Sequence, residues 1–575
     1  MSHSKREQSL KAEELFDKGK LTEALELFND FFKDKITDME QKSHFLFLKG
    51  LILIYQYKSE ELVKYGETLY QESQKNDEKL QSIDGLCFKI AGLCLDFNFD
   101  EVFNLIDKVE KIQHEISNDI KDVLTQKEAF IRILKAWANL ETGNIDLAER
   151  DLEYILNLKN KTGVTFEIVW ATLIMARLLY QGKHEAFVSL EYTKKALSLA
   201  KSIKYNHFWI ALCELFIGTY YTLSGELDRS LKHYMRSLET YRKLDNKSYI
   251  AATLNNLGAN SMSLGDYPNA LKFLEESLHY YEIQPIGIEF PLSNLVEFTL
   301  ENNDTELAQK YFAQLERLYN HKKTDTVDIA YRLSKVLMLK RSSRIRDKAE
   351  AETILKEMIG VDRIWYNMTL EPIIHLSDLL LSEYRLTNDR EVLDELNFYV
   401  GKMLERAEKT HSYIQFCNTF ILQAKLALIN LELKAARRFL SEAQKIAERY
   451  RLRPLAMKIS QEHDMLLRQK EIWENFKDSE ESYSDRWKLA GLNEQMENMV
   501  KKRVVKVPDL SDEESIFLLI ISEGGEPVFS QKFVDDRSFE DHLFGGFLTT
   551  IDYFIKETFS EGLDRAMFGD YTLLM

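Results

Sequence analysis

The residues best spaced for acid–base chemistry are Glu371, His375 and Asp378, which lie four and three positions apart and so share one face of a helix. Two carboxylates flanking an imidazole are what a general acid–base pair needs. With 93 acidic residues in a chain of 575, however, the same spacing arises readily on an ordinary polar face, and that is the preferred reading. His114-Glu115 begins the His-Glu-x-x-His string by which two imidazoles on one helix face hold zinc, but Asn118 stands where the second histidine belongs. The chain has no glycine-rich phosphate loop ending in lysine and serine or threonine, no Gly-x-Gly-x-x-Gly turn and no Gly-x-Ser-x-Gly elbow. Cys87, Cys94, Cys213 and Cys417 lack the paired spacing of a zinc knuckle and read as four small buried side chains in a reducing compartment. No catalytic residue, metal ligand or cofactor is expected, and the chain is read as a protein that is not an enzyme.

Composition agrees with a binding role. A formal net charge of −17 disfavours nonspecific attachment to nucleic acid, which rests on lysine and arginine neutralising phosphates. The basic stretches at 341–348, 437–453 and 501–506 are read as solvated helix faces or ends. The polar N-terminus, MSHSKREQSLKAEEL, has no apolar signal region, and the apolar window at 45–55 is too short to span a bilayer of about 18 to 20 residues. The expected location is cytoplasmic. Only 7 prolines and 22 glycines, with 45% apolar residues, predict a mostly helical chain.

The elements that would position any site are announced by a repeat. Gly218, Gly225, Ser230, Tyr234 and Ser237 recur 40 residues later as Gly258, Gly265, Ala270, Leu274 and Ser277. A period of this length marks a solenoid, in which each unit buries its apolar face only against its neighbours. In residues 249–281, Leu254, Leu257, Ser261 and Leu264 form the stripe of a first helix, and Gly258 on that stripe lets a second helix approach its backbone. Gly265 ends that helix, Asp266 caps the next, and Ala270, Leu274 and Ser277 form the second helix's inner stripe. Taking Ala24, Leu62, Phe103, Ala148, Ser189, Ser230, Ala270, Ala308, Ala351, Leu396 and Ala436 as equivalent predicts about eleven helix hairpins, with a two-residue slip in the unit around Ser189.

This residue set resembles the tetratricopeptide repeat, best over residues 205–285, with a longer period than the family's usual one. The expected fold is therefore an all-α superhelical solenoid of about eleven antiparallel hairpins, followed by a small, incomplete α/β module. Residues 1–282 form an N-terminal stretch and 283–475 a C-terminal stretch, separated by an irregular connector at 283–291 that contains Pro285, Gly287 and Pro291. Residues 476–507 read as an amphipathic connecting helix carrying Trp487, Leu489, Leu492, Met496 and Met499 on one stripe, too short for a coiled coil and better suited to docking.

Residues 508–575 read as the α/β module: a strand at 516–522, a hairpin with the following VFSQKF, a helix from Ser538 to about Phe559 and a strand at 567–575. The order resembles the start of a profilin-like domain of the longin or roadblock type, which implies small GTPases, trafficking complexes or a second subunit as partners. The apolar ending YTLLM leaves two expectations open, a chain cut short at its C-terminus, which is preferred, or a sheet completed by another chain.

The expected function is a protein–protein interaction scaffold that holds a protein or peptide in the concave groove lined by first helices. The resemblance implies that asparagines there bond an extended peptide, which points to Asn255 and Asn256; the preceding repeat instead carries Leu215 and Phe216, so a helical or apolar segment suits the groove better. The alternative is a peptide-sensing or transcription-linked regulator of the same family, in which a ligand changes the pitch of the array.

Overall fold

The structure, a computed structural model, describes residues 3–31, 39–96, 98–116, 121–183, 185–223, 226–283, 287–321, 324–360, 370–409, 413–450, 452–478, 483–501, 517–521, 527–532, 549, 565–568 and 571–574. Helices follow one another as α1 (His3–Asp17), α2 (Leu21–Phe31), α3 (Met39–Tyr55), α4 (Ser59–Lys75), α5 (Lys79–Leu95), α6 (Val102–His114), α7 (Lys121–Glu141) and α8 (Ile145–Thr162). Next come α9 (Phe166–Arg177), α10 (Ala186–Ala200), α11 (His207–Leu223), α12 (Leu227–Lys243), α13 (Lys247–Leu264), α14 (Tyr267–Ile283), α15 (Glu289–Glu301) and α16 (Thr305–His321). The array continues with α17 (Asp325–Lys340), α18 (Ile345–Gly360), α19 (Leu370–Thr387), α20 (Arg390–Lys409), α21 (Tyr413–Ile429) and α22 (Leu433–Arg449). In chain order these make eleven successive pairs, as the repeat predicts. Four helices follow: α23 (Arg453–Arg468), α24 (Lys470–Asp478), α25 (Tyr483–Leu489) and α26 (Leu492–Val500).

Two compact units result. One comprises Met1–Gln423 with Gly491–Val504, the other Ala424–Ala490 with Val505–Met575. In the second unit the buried Lys425 ammonium lies 2.8 Å from the Glu462 carboxylate and donates to the Ala490 carbonyl at 2.9 Å, tying α21 to α23 and to the end of α25.

The division of labour within a pair is visible in side-chain type. First helices such as α11 (HFWIALCELFIGTYYTL) are apolar on most of their circumference, because they are packed on several sides. Second helices such as α12 (LDRSLKHYMRSLETYRK) carry one narrow buried stripe, Leu227, Ser230, Tyr234, Ser237 and Leu238, and turn charge outward. Within pairs the turn is closed by a left-handed residue, at Gly19, Tyr57, Gly143, Gly265, Asn303, Asn388 and Leu431. The slip around Ser189 has a local cause: α9 ends in a π turn over Leu178–Gly182, which inserts backbone ahead of α10.

Small residues set the spacing between helices. A Cβ at Gly258 would lie 2.6 Å from Leu274 Cγ, and one at Gly218 2.6 Å from Tyr234 Cδ1, so each glycine receives the large residue of its own second helix. Ala270 and Ala436 are fully buried at the matching positions, and Gly225 lies outside the described residues. The tightest approach of backbone to backbone joins α4 and α5, where a Cβ at Gly66 would lie against the Lys89 nitrogen and 2.6 Å from the Gly85 carbonyl oxygen.

The N-terminal pairs curl until α3 meets α11. Phe47 on α3, Phe88 on α5, Phe130 on α7, Trp170 on α9 and Trp209 on α11 pass from ring to ring with centroids 5.6, 6.1, 6.0 and 5.4 Å apart. Trp209 then returns to α3, its indole N–H donating to the Tyr55 hydroxyl at 2.7 Å. Tyr55 also stacks on Phe208 at 4.6 Å, and the Asn246 side chain, which caps α13, donates to the Tyr55 carbonyl. Ring pairs of this kind contribute about 0.5–1.5 kcal/mol each beyond area burial.

Beyond α22 the structure departs from the sequence reading in two places. The stripe read as one helix over 476–507 is divided into α25 and α26 by Gly491, whose φ of 61° is left-handed. The C-terminal strands form two antiparallel ladders, β1 (Phe517–Ile521) with β2 (Pro527–Lys532) and β3 (Arg565–Phe568) with β4 (Tyr571–Leu574). The first is the expected hairpin; the second is a hairpin where a single strand was read over 567–575. The helix read over 538–559 lies, apart from Thr549, outside the described residues, and the described strands do not establish an α/β module of the longin or roadblock type.

Two stability predictions follow from this packing. Gly66→Ala should lower stability by roughly 1–3 kcal/mol, because backbone must move, whereas Gly401→Ala, with no atom within 4 Å of the added methyl, should raise it by up to about 1 kcal/mol. Chemical denaturation distinguishes them; equal effects would contradict the packing. Glu167, 5% exposed at the start of α9, is pushed up to about 7 by burial. An acid raised in the folded state loses stability as pH climbs from its ordinary 4.5 through that value. Glu167→Gln should therefore raise the melting midpoint more at pH 8 than at pH 5, and a gain independent of pH would contradict the assignment.

Candidate functional site: the first-helix groove

The face formed by first helices differs between the two ends of the array. From α3 to α11 it is filled by the aromatic circuit. Farther along, the C-terminal halves of α15, α17 and α19 lie side by side and leave a groove of about 660 Å³. Leu300, Leu337, Leu381 and Leu386 give it an apolar floor and edge, and Glu297, Glu301, Lys340, Arg341, Asp378 and Arg385 give it charges of both signs. Its basic residues stand at helix C-termini, where backbone carbonyls carry partial negative charge and favour cations.

Polar groups on first helices bond sideways to the next first helix, about one repeat away in sequence. Asn260 on α13 donates to Thr222 on α11 at 3.0 Å, and Asn294 on α15 donates to Asn255 on α13 at 2.8 Å. Thr326 on α17 donates to Glu289 on α15 at 2.7 Å, and Lys340 on α17 donates to Asp378 on α19 at 2.6 Å. These lateral bonds hold the first helices in register while satisfying buried polar atoms.

The binding residues singled out in the sequence lie on the first helices α11 and α13. Asn255 is engaged by Asn294, and Asn256 contributes a hydrogen bond to the Tyr234 hydroxyl within the α12–α13 contact. Leu215 is 6% exposed and belongs to the N-terminal core, with Phe216 packed half-buried against it. None of these four lines the C-terminal groove.

Glu371, His375 and Asp378 do share one face of α19, but Lys340 enters from α17 between them. Its ammonium lies 2.6 Å from Asp378 and 3.3 Å from His375 Nδ1, while His375 Nε2 stands 4.0 Å from Glu371. Lysine and aspartate thus form an ion pair that fixes neighbouring helices, with the buried imidazole beside it. The four cysteines are free and buried, and burial pushes the Cys417 thiol up to about 12, which removes thiolate character at neutral pH. Among the described residues no group of three histidine, cysteine or carboxylate side chains could hold a metal ion, and no helix is long and apolar enough to cross a membrane.

One wall of the groove comes from the tail. Asn493, Met496, Glu497 and Val500 of α26, with Lys501 just beyond it, complete the lining, and α26 packs on α19. Leu492, Gln495, Met496 and Met499 are all buried at 2% exposure or less, and Gln495 Nε2 donates to the Asn418 carbonyl of α21 at 3.2 Å. Docking of this stripe is expected from the sequence against the last hairpin or the next domain; α26 packs on α19, one pair earlier, and reaches α21 of the last pair through Gln495.

The aromatic circuit was missed in the sequence, although its signal was present. Phe47, Phe88, Phe130, Trp170 and Trp209 follow at steps of 41, 42, 40 and 39 residues, the same period as the glycines but on the first helices.

Comparison with known proteins agrees with this architecture. Residues 250–283 match the tetratricopeptide repeat family. The fold is similar to that of the apo form of RapI, at 13% identity over 65% of this chain and 98% of that one, with a TM-score of 0.45. It is similar also to the quorum sensor NprR from B. thuringiensis, at 14% identity over 63% of this chain and 99% of that one, with a TM-score of 0.45. Yeast Tom70 is similar at 12% identity over 80% of this chain and 97% of that one, with a TM-score of 0.34. At these scores the likenesses carry no argument about ligand or mechanism. No curated protein matches the sequence. The matched repeat, the eleven successive helix pairs and the glycine-seated contacts within them make this chain a tetratricopeptide-like helical-repeat protein.

Proposed function

We propose that this chain is a non-enzymatic cytoplasmic scaffold that binds a protein or peptide on its first-helix face, in the groove of α15, α17 and α19. The observation that carries the reading is the groove itself: about 660 Å³ of open space with a leucine floor, mixed charges at its edge, and Leu386 left 85% exposed beside it. The repeat architecture supports a binding role, since stacked pairs create an extended inner surface that a protein or peptide can follow. The acid–base candidate gives no second reading, because Asp378 is committed to Lys340. An apolar helix presented by a partner suits this floor better than an extended acidic peptide. Asn255 and Asn256 belong to the same face farther toward the N-terminus and are proposed as secondary contacts. The exposed Val528 and Phe529 on β2 are proposed as a second protein contact, with small GTPases suggested by the sequence resemblance alone.

Leu337→Asp places a carboxylate on the groove floor and should weaken partner binding at least about tenfold, a loss of 1.4 kcal/mol or more. Met235→Asp, on the exposed side of α12, is the control and should leave binding intact. Partner binding that survives Leu337→Asp, in a chain whose melting midpoint is unchanged, would contradict the reading.

A further inference from the structure

We propose that α26 is a resident ligand of the groove: the chain occupies part of its own binding face, and the external partner is an amphipathic helix that repeats the apolar register of α26 and displaces it. This rests on the groove being the binding face, and it adds the chemistry of the partner and the control of the site.

The argument begins with the buried face of α26. Leu492, Met496 and Met499 stand at i, i+4 and i+7, the register by which a helix presents one apolar stripe to a groove. Gln495 sits within that stripe, buried to 1% exposure, and its Nε2 donates to the Asn418 carbonyl. The exposed residues are Asn493, Glu494 and Glu497, of which Asn493 and Glu497 border the open part of the groove together with Met496 and Val500. Nothing in this helix differs in kind from a peptide ligand except that it is covalently attached.

The attachment is built for release. Gly491 in its left-handed conformation separates α26 from α25, so α26 can leave α19 without carrying a longer rigid helix with it. Nine residues are far fewer than the roughly 12 to 15 that an isolated helix needs in water, so α26 owes its helicity to docking. Two of its three apolar anchors are methionines, which pack well against many surfaces but specify none tightly. The groove is also only part filled: its open volume adjoins Met496, Val500 and Lys501, so a longer helix can make the contacts of α26 and add those to Leu300 and Leu337. A tethered helix acts at an effective concentration in the millimolar range, so a weak intramolecular contact suffices to mask the site until a better ligand arrives.

The test uses the full chain and a labelled peptide of residues 490–501, AGLNEQMENMVK, followed by fluorescence anisotropy. The unaltered chain should bind it weakly. The doubly substituted chain M496D/M499D, whose own α26 cannot dock, should bind it at least about tenfold more tightly, and Gln495→Ala should lie between. Gln495→Ala retains every apolar anchor, so it keeps the comparison valid if the double variant fails to fold, which circular dichroism would reveal. A peptide carrying the same two aspartates should not bind any of the three. Equal affinity for the unaltered, Gln495→Ala and M496D/M499D chains would overturn self-occupancy while leaving the groove reading intact. Failure of every chain to bind would overturn α26 as a ligand, while the groove reading is tested separately by the effect of Leu337→Asp on partner binding.

Discussion

The constraint on which the rest depends is that no helix pair in this chain can bury its apolar surface alone. First helices such as α5, α9, α11 and α21 are apolar on too much of their circumference to face water, and only the neighbouring pairs can cover them. Toward the N-terminus that constraint is met by closure. Rings from five first helices touch in sequence, and Trp209 on α11 returns to Tyr55 on α3 with a hydrogen bond that satisfies both buried polar groups. That circuit fills the inner face where a ligand would otherwise lie.

Farther along, the same constraint has a different solution. The inner residues of α15, α17 and α19 are leucines and charged groups, the lateral bonds are an ion pair and a hydroxyl–carboxylate bond, and the helices stay apart enough to leave an open groove. An apolar floor open to water is an incomplete burial, and α26 completes part of it. The tail helix is thus explained by the solenoid's own physics: it covers surface that no further repeat covers.

Much of the array was legible because its packing demands particular residue types. Gly218 and Gly258 must be small where Tyr234 and Leu274 enter, and Gly265 must take a left-handed turn, so a 40-residue echo survives in the sequence. The same turns at Tyr57, Asn303, Asn388 and Leu431 carry no glycine, which is why their units looked degenerate. The groove was harder to see. Its floor is made of leucines that are indistinguishable in sequence from core leucines, and its fourth wall arrives from more than a hundred residues away, around a Gly491 turn that a continuous apolar stripe conceals. Asn255 and Asn256 drew attention because the resemblance implies peptide-bonding asparagines on that helix, yet Asn255 is bonded to the next repeat, a relation that only the stacking of first helices creates.

The most direct measurement is amide hydrogen exchange over Leu492–Val500 in the full chain, alone and with a bound partner. The account predicts slow exchange in the free chain, as for a docked helix, and rapid exchange once the partner occupies the groove. Exchange at unprotected rates in the free chain, or protection that a bound partner leaves unchanged, would contradict it.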